Sequence, residues 1–598
     1  MLFHEKQTII ENCLFGVDIN SKSVMICQLR LWIELLKNAY YIQGLNDVLE
    51  TLPNIDINIR CGNSLISRFS LDEDLKPALS KSKFNIQTYK LAVKTYREAE
   101  NKEQKHEMES LISIIKNDFS SELSFRNKIA KSYVKEKASI VKISSEINRM
   151  ELWKEKISQK LLDDLEIATK KLDKLERDVK EIQNNIIYKN AFEWRFEFPE
   201  VLNDKGDFDG FDVVVGNPPY VSANDLKKSV SEQEYTYLKN NFETAKGTVD
   251  LYIYFFEKGL NLLNEKGNLS FITPNRYLSA SYGEALREYL YNKVKVSSII
   301  DYSNVKVFAE ASTYPILTFL TKDLDIKSDD ILIGKYNAIT EEMNFKNAQS
   351  KKLSLIDGYI WGFLLNDKLP ITEKVMKQSI PLSQVCKVNA TSTTSEADEY
   401  GKIINEKNGY KLINTGTIDR YSCSWGITQL TDKGRKFLTP FLPKDSNIIS
   451  KNRHTLYSAE KIILAKIAIR TEGFLDINGE YSSINTNCLY DFNKGISSKY
   501  ILAWINSKLF QYCFECFFEG LKMQGGYLLY SAPNVLSLFV KELDSSPQLP
   551  FITLVDKILA AKKENPQADT SAWEKEIDAL VYVLYGLTAE EIKMVEGR

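Results

Sequence analysis

Phe211-Asp212-Val213-Val214-Val215-Gly216-Asn217-Pro218-Pro219-Tyr220 is the stretch on which the reading of this chain turns. Its first half is a hydrophobic run of strand length. Two consecutive prolines lack amide donors and can neither extend a strand nor enter a helix interior, so Asn217 to Tyr220 form a rigid loop at the strand's carboxyl end. In an open α/β sheet that end is where ligands bind. Taken alone the tetrapeptide reads as a turn, since Asn, Pro and Tyr are all common in turns. The buried strand before it gives the loop a catalytic context.

The α/β rhythm extends on both sides. Downstream lie a helix over Leu251 to Leu263 and strands over Gly267 to Thr273, Val296 to Asp301 and Ile316 to Leu320. Upstream, Cys13 to Ile19 (CLFGVDI) is an apolar run ending in an acid. An amphipathic helix from Ser21 to Asn38 follows, with Val24, Cys27, Leu31 and Leu35 as its inward face. Ile55 to Cys61 then alternates into Gly62-Asn63-Ser64-Leu65. Strand, acid, helix and strand is the order of a doubly wound domain. Between residues 85 and 188 glycine and proline are absent and charges dominate, which predicts an antiparallel helical hairpin or coiled-coil arm with solvated faces.

Composition narrows the functional classes. A chain of 598 residues exceeds one compact core. Its 78 Lys and Arg against 80 Asp and Glu leave a net charge of −2, so any surface for nucleic acid must be a local patch. Three histidines make His-based zinc or acid–base chemistry improbable. Cys513 and Cys516 have metal-ligand spacing but lie in an apolar aromatic run with no second pair, and read as core. No metal site is expected. The eight scattered cysteines and the absence of a secretory signal or an apolar run of membrane length predict reduced thiols in a cytoplasmic protein.

The chemistry of the loop suits an exocyclic amine. An adenine amino group is a poor nucleophile because its lone pair is delocalised. The Asn217 side-chain oxygen and the Pro218 carbonyl can accept its two protons, and Tyr220 can stack on a base taken out of the duplex. Five segments together carry a resemblance: Phe15 to Tyr40, Phe192 to Leu202, Phe211 to Val221, Asp250 to Leu263 and Gly267 to Leu278. Over almost its whole length the chain resembles the gamma-type adenine-N6 DNA methyltransferases similar to TaqI methyltransferase. It especially resembles the methyltransferase and specificity portion of type IIG restriction–modification enzymes.

The resemblance implies a Rossmann-like core using S-adenosylmethionine, with Asn217, Pro218, Pro219 and Tyr220 catalytic. It also implies that Asp18 holds the cofactor ribose hydroxyls, that Ile19 lies at the adenosine, and that Asn63 stands where the family commonly has an Asp at the cofactor adenine. Phe308 matches the aromatic expected on the base face opposite Tyr220. The family's Gly-rich loop for the methionine end of the cofactor is not found upstream of Asp18, nor are its N-terminal helical bundle and nuclease region. The core is thus expected to be incomplete at its N-terminus. Activity is then expected to depend on a separate polypeptide carrying that loop and a nuclease.

The predicted organisation is an N-terminal part of the methyltransferase core (1–80), a helical insertion (81–190) and the catalytic part of the core (191–330). A connector (331–380), a mixed α+β target-recognition domain (381–545) and a helical tail (546–598) follow. Basic residues crowd the fifth segment, with Lys461, Lys466 and Arg470 predicted on the phosphates of double-stranded DNA alongside Lys433, Arg435, Lys436, Lys444, Lys451 and Arg453. Two other readings stay open. One is methylation of RNA or of a protein glutamine amide, which a large basic second half argues against. The other is a non-catalytic or partner-dependent DNA-recognition fragment, which the missing Gly-rich loop favours.

Overall fold

A computed structural model describes residues 2–41, 53–72, 82–99, 101–124, 128–153, 158–184, 187–188, 190–305, 307, 314–323, 330–355, 358–523 and 525–597. Contacts divide the chain into two units: Met1–Phe271 with Thr321–Asp323, and Ile272–Leu320 with Leu324–Arg598.

The first unit opens with α1 (Leu2–Cys13), β1 (Gly16–Asp18), α2 (Ser21–Leu36) and β2 (Ile59–Cys61). β1 and β2 pair in parallel, Gly16 opposite Ile59 and Asp18 opposite Cys61. A parallel pair needs a crossover, and α2 supplies it. α2 starts at Asn20, whose side chain accepts from the Lys22 amide and satisfies one orphan donor of the first turn. Val24 and Leu35 face inward as expected, Leu35 packing with Phe3, Ile10 and Ile55. Cys27 does not: it is exposed. A two-stranded sheet is too narrow to cover the whole apolar stripe of a sixteen-residue helix.

The charged stretch is helical over Ile86–Arg97, Lys102–Ser124, Lys128–Leu152 and Gln159–Asn184. The last two helices pack along each other and are joined by an ion pair between Lys171 and Glu136 (2.8 Å). The first two are not a solvated arm. Ile86, Tyr89, Val93 and Tyr96 make one buried face, packed with Ile112, Ile115, Phe196 and Leu202. Spacings of three and four residues place these side chains on one stripe. The Tyr96 hydroxyl donates to Asp56 (2.7 Å), and Lys116 pairs with Glu197 (2.8 Å).

β3 (Phe211–Gly216) runs parallel to β4 (Leu263–Pro274), connected by the helix Leu251–Asn261. That helix buries Tyr252, Ile253, Phe256 and Leu260, and the Phe256 ring packs on Phe271 at 5.4 Å. Phe15, just before β1, packs on Phe211 at the start of β3 with ring centroids 5.9 Å apart. Both strands therefore leave one aromatic cluster that also holds Phe192, Phe198 and Trp194.

In the second unit β5 (Lys295–Asp301), β6 (Pro315–Thr321), β7 (Asp330–Asn337) and β8 (Glu342–Gln349) are ordered β6–β5–β7–β8. β7 is parallel to β5 and antiparallel to β8, so this is a mixed sheet. From the sequence the core is expected to end at residue 330. β7 and β8 instead extend the same sheet, and the polar residues of β8 reflect its exposed face. The protein is an α/β protein with a Rossmann-like core.

Further along, Lys461–Ala465 is an inner strand between Thr486–Tyr490 and Gly473–Asp476, antiparallel to both. The helix Lys508–Phe518 buries Cys513 and Cys516 among Phe510, Phe514, Phe517 and Phe518. The C-terminal segment is helical over Ser545–Glu564, Ser571–Leu584 and Ala589–Glu596. Among the described residues no helix is long and apolar enough to cross a membrane.

Candidate functional site

The loop after β3 begins at Gly216. A Cβ there would stand 2.9 Å from the Phe271 ring, so glycine lets that ring pack against the strand end. Gly62, at the end of β2, plays the same part: a Cβ would meet the Phe192 ring at 2.9 Å. Each of these glycines immediately precedes a candidate site residue, Asn217 or Asn63. Both asparagines are thus carried on strand ends held by close aromatic packing.

Asn217 is exposed, Pro218 is buried, Pro219 is exposed and Tyr220 is half-buried. Burial pushes the Tyr220 hydroxyl up to about 12, so the ring stays neutral. The far end of the loop is pinned at two points. The Val221 carbonyl accepts from the Leu251 amide (3.0 Å), and Asp250 accepts from the Ala223 amide (2.9 Å). Ser222 then caps the helix Ala223–Ser229 by accepting from the Asp225 amide. Asp250 precedes the helix Leu251–Asn261, so the loop is fastened to the start of that helix. Its positioning role was not read from the sequence, although an acid before an apolar helical run is the signal.

Asp18 ends β1 with an exposed carboxylate, one oxygen of which accepts from the Asn20 amide (2.7 Å). Ile19 beside it is exposed. The Gly62 amide donates to the Asp18 carbonyl (3.0 Å), which brings the Asn63 turn beside Asp18. The Asn63 side-chain oxygen accepts from the Leu65 amide (3.1 Å), while its backbone amide donates to the Asn190 carbonyl (2.6 Å). Asp18, Ile19 and Asn63 therefore share one end of the β1–β2 pair.

A buried polar cluster fastens the turn after β2 to the helix Leu251–Asn261, which holds the Asn217–Tyr220 loop. Glu193 accepts from the Arg68 amide (2.6 Å) and the Phe69 amide (3.4 Å). Lys258, on the helix, donates to Ser67 Oγ (3.3 Å), and the Tyr237 hydroxyl donates to the Ser67 carbonyl (2.8 Å). Burial pushes Glu193 up to about 7 and Lys258 down to about 8. None of these residues stood out in the sequence, because their partners are far apart along the chain.

Phe308 lies outside the described residues. Lys461, expected on the DNA phosphates, is instead buried at the head of a strand. Its side chain is buried and paired with Asp476 at 2.5 Å, and it donates to the Tyr457 carbonyl (2.6 Å). Burial pulls its ammonium below the ordinary lysine value, with Asp476 opposing. Lys461 opens an inner strand, where a cation must be paired rather than solvated. Several neighbours are neutralised too: Arg453 by a two-pronged contact with Glu396, Lys433 by Asp398 and Arg435 by Asp432. Arg470 is exposed, 3.9 Å from both Asp419 and Glu472. Lys466 is half-exposed and Lys436 and Lys451 are exposed, with no ion pair to a carboxylate among the described residues.

Residues 136–308 match the family described as Eco57I restriction-modification methylase. A Methanocaldococcus jannaschii protein named as a type II restriction enzyme and methyltransferase is 24% identical over 551 residues, 86% of this chain and 43% of that protein. The Escherichia coli type II restriction enzyme and methyltransferase RM.Eco57I is 28% identical over 212 residues, 35% of this chain and 19% of that protein. The chain thus spans less than half the length of these curated relatives. Among solved structures, that of the type IIL restriction-modification enzyme MmeI in complex with DNA aligns over 65% of this chain and 56% of its own at 13% identity and a TM-score of 0.36. The type IIG restriction endonuclease BpuSI aligns over 65% and 57% at 15% identity and a TM-score of 0.26.

Proposed function

We propose, from a chain whose residues 136–308 match the Eco57I restriction-modification methylase family, that this protein is the catalytic and target-recognition part of a site-specific DNA adenine-N6 methyltransferase. The observation that carries the reading is the Asn217–Tyr220 loop: an exposed amide and a half-buried aromatic at the end of a parallel strand, pinned through Asp250. The Asn217 oxygen and the Pro218 carbonyl accept the two protons of a flipped adenine amine. That draws the nitrogen lone pair out of conjugation, and Tyr220 stacks on the base. The proton lost from the amine after transfer leaves to solvent.

The residues at the end of β1 and β2 fit the adenosine half of S-adenosylmethionine. Asp18 keeps a carboxylate oxygen available to a ribose diol, Ile19 presents an exposed apolar face, and the Asn63 oxygen retains a second lone pair for an adenine amine. S-adenosylmethionine bound there would supply an electrophilic methyl group. Asp18, Ile19 and Asn63 would hold the adenosine half alone. Phe308 is proposed on the second face of the base, and Lys466 and Arg470 on the DNA backbone.

The test is nucleoside analysis of unmethylated DNA incubated with S-adenosylmethionine, this chain and the polypeptide encoded immediately upstream. N6-methyldeoxyadenosine is expected. Methylated cytosine, or no methylated nucleoside while DNA binding persists, contradicts the reading. The second outcome would leave a recognition fragment.

A further inference from the structure

The hairpin of β7 and β8 carries a cleft that the methyltransferase reading does not use. Strand alternation puts Ile333, Lys335 and Asn337 on one face of β7. Lys346 stands opposite Ile333 and Asn344 opposite Lys335, so β8 continues that face. With Leu365 and Asp367 these residues line a cleft of about 340 Å³, the size of a small-molecule site. All of them belong to the second unit.

The lining combines three kinds of chemistry. Ile333 is buried and Leu365 half-buried, which gives an apolar wall. Lys335 pairs with Asp367 (3.1 Å) and the neighbouring Lys352 with Glu373 (2.6 Å), whereas Lys346 has no carboxylate partner among the described residues. Loss of water around its ammonium pulls Lys346 below the ordinary lysine value, with Asp367 opposing and Lys335 and Lys352 adding to the fall. An anion beside Lys346 relieves that repulsion. The Asn337 side-chain oxygen accepts from the Ile339 amide (2.9 Å), which leaves its amino group as a donor. The carboxamides of Asn304, which also lines the cleft, and Asn344 make no side-chain hydrogen bond among the described residues.

We propose that this cleft binds a nucleoside phosphate, with the phosphate on Lys346 and Lys335, the base against Ile333 and Leu365, and the asparagine carboxamides on its polar edges. A bare phosphate needs the cations but not the apolar wall, and a purely apolar ligand leaves the carboxamides unmatched. A carboxamide offers a donor and an acceptor side by side, the pattern of a nucleobase edge. The Asp367 carboxylate is 79% exposed, so water screens its repulsion of the phosphate. The same contacts serve a free nucleotide or one unit of a DNA strand. The inference goes beyond methyl transfer and does not depend on it.

The experiment is acetylation of the full chain with acetic anhydride, read by mass spectrometry of its peptides, with no S-adenosylmethionine present. Lys346 is solvent-exposed and is labelled in the free protein. Deoxyadenosine monophosphate or a short single-stranded oligodeoxynucleotide is expected to slow that labelling by about fivefold or more, with Lys407, exposed elsewhere in the second unit, labelled as before. Protection by the mononucleotide makes a free nucleotide sufficient, and protection by the oligonucleotide alone assigns the cleft to a strand. In equilibrium dialysis Lys346→Ala, at an exposed side chain, is expected to weaken the protecting ligand by about tenfold, while Lys346→Arg keeps it and Asp367→Asn tightens it. No protection of Lys346 by either ligand, equal protection by inorganic phosphate alone, or weaker binding in Asp367→Asn each overturns the proposal. Protection of Lys346 without methyl transfer in the separate nucleoside assay would leave the cleft standing and sink the methyltransferase reading.

Discussion

At the scale of single residues, Lys461 and Lys466 separate a structural charge from a proposed recognition charge. Lys461→Ala leaves Asp476 buried without its partner, and a loss of about 3–5 kcal/mol is expected in chemical denaturation. Lys466→Ala should leave stability within about 0.5 kcal/mol. It should weaken DNA binding and lower the slope of log K against log salt by about 0.9, the value for one lost phosphate contact. A salt slope unchanged by Lys466→Ala would remove that residue from the DNA surface. Tyr220→Ala is expected to cost about 1–3 kcal/mol in binding to DNA whose target base is unpaired, measured by titration. The misreading of Lys461 has a physical cause: a cation at the head of an apolar run reads as a flank. Its partner lies across a strand pairing, Lys461 opposite Asp476, that only the fold reveals. The strand ends that carry Asp18, Asn63 and Asn217 were legible because each closes a short apolar run and needs only local geometry.

At the scale of elements, the link between the turn after β2 and the helix Leu251–Asn261 should be pH-dependent. Glu193 titrates near 7 in the folded protein against an ordinary value of 4.5. Its contribution to stability is therefore greatest below 4.5 and declines as pH rises from 4.5 through 7, where the folded state holds the proton longer. Lys258, held near 8 against 10.5, acts oppositely: stability recovers as pH rises from 8 towards 10.5. Lys258 and Arg68 are the cations acting on Glu193, and Tyr237 is also coupled to it. Glu193→Gln should flatten the decline between pH 4.5 and 7, read as the wild-type minus variant difference in unfolding free energy. A difference independent of pH would show that Glu193 does not titrate in this window. β3 to β6 were legible as apolar runs. β7 and β8 were not, because Glu342–Gln349 is mostly polar and its place beside β7 is set by pairing rather than by sequence pattern. The helices Ile86–Arg97 and Lys102–Ser124 were read as helical, but their anchoring was missed. Their buried stripe of Ile86, Tyr89, Val93 and Tyr96 is interrupted by charges that dominate the composition.

At the scale of the whole molecule, the turn carrying Asn63 and the Asn217–Tyr220 loop belong to the first unit, while Lys466 and Arg470 belong to the second. Their combination in one chain accounts for the proposed division between chemistry and target recognition. The measurement that tests this most directly is transfer of radiolabelled methyl groups from S-adenosylmethionine to unmethylated DNA. It compares the wild-type chain with Asn217→Ala, each mixed with the upstream-encoded polypeptide. Label in adenine with the wild type, reduced about a hundredfold or more by Asn217→Ala with DNA binding kept, is the predicted result. Equal transfer by both would contradict the account.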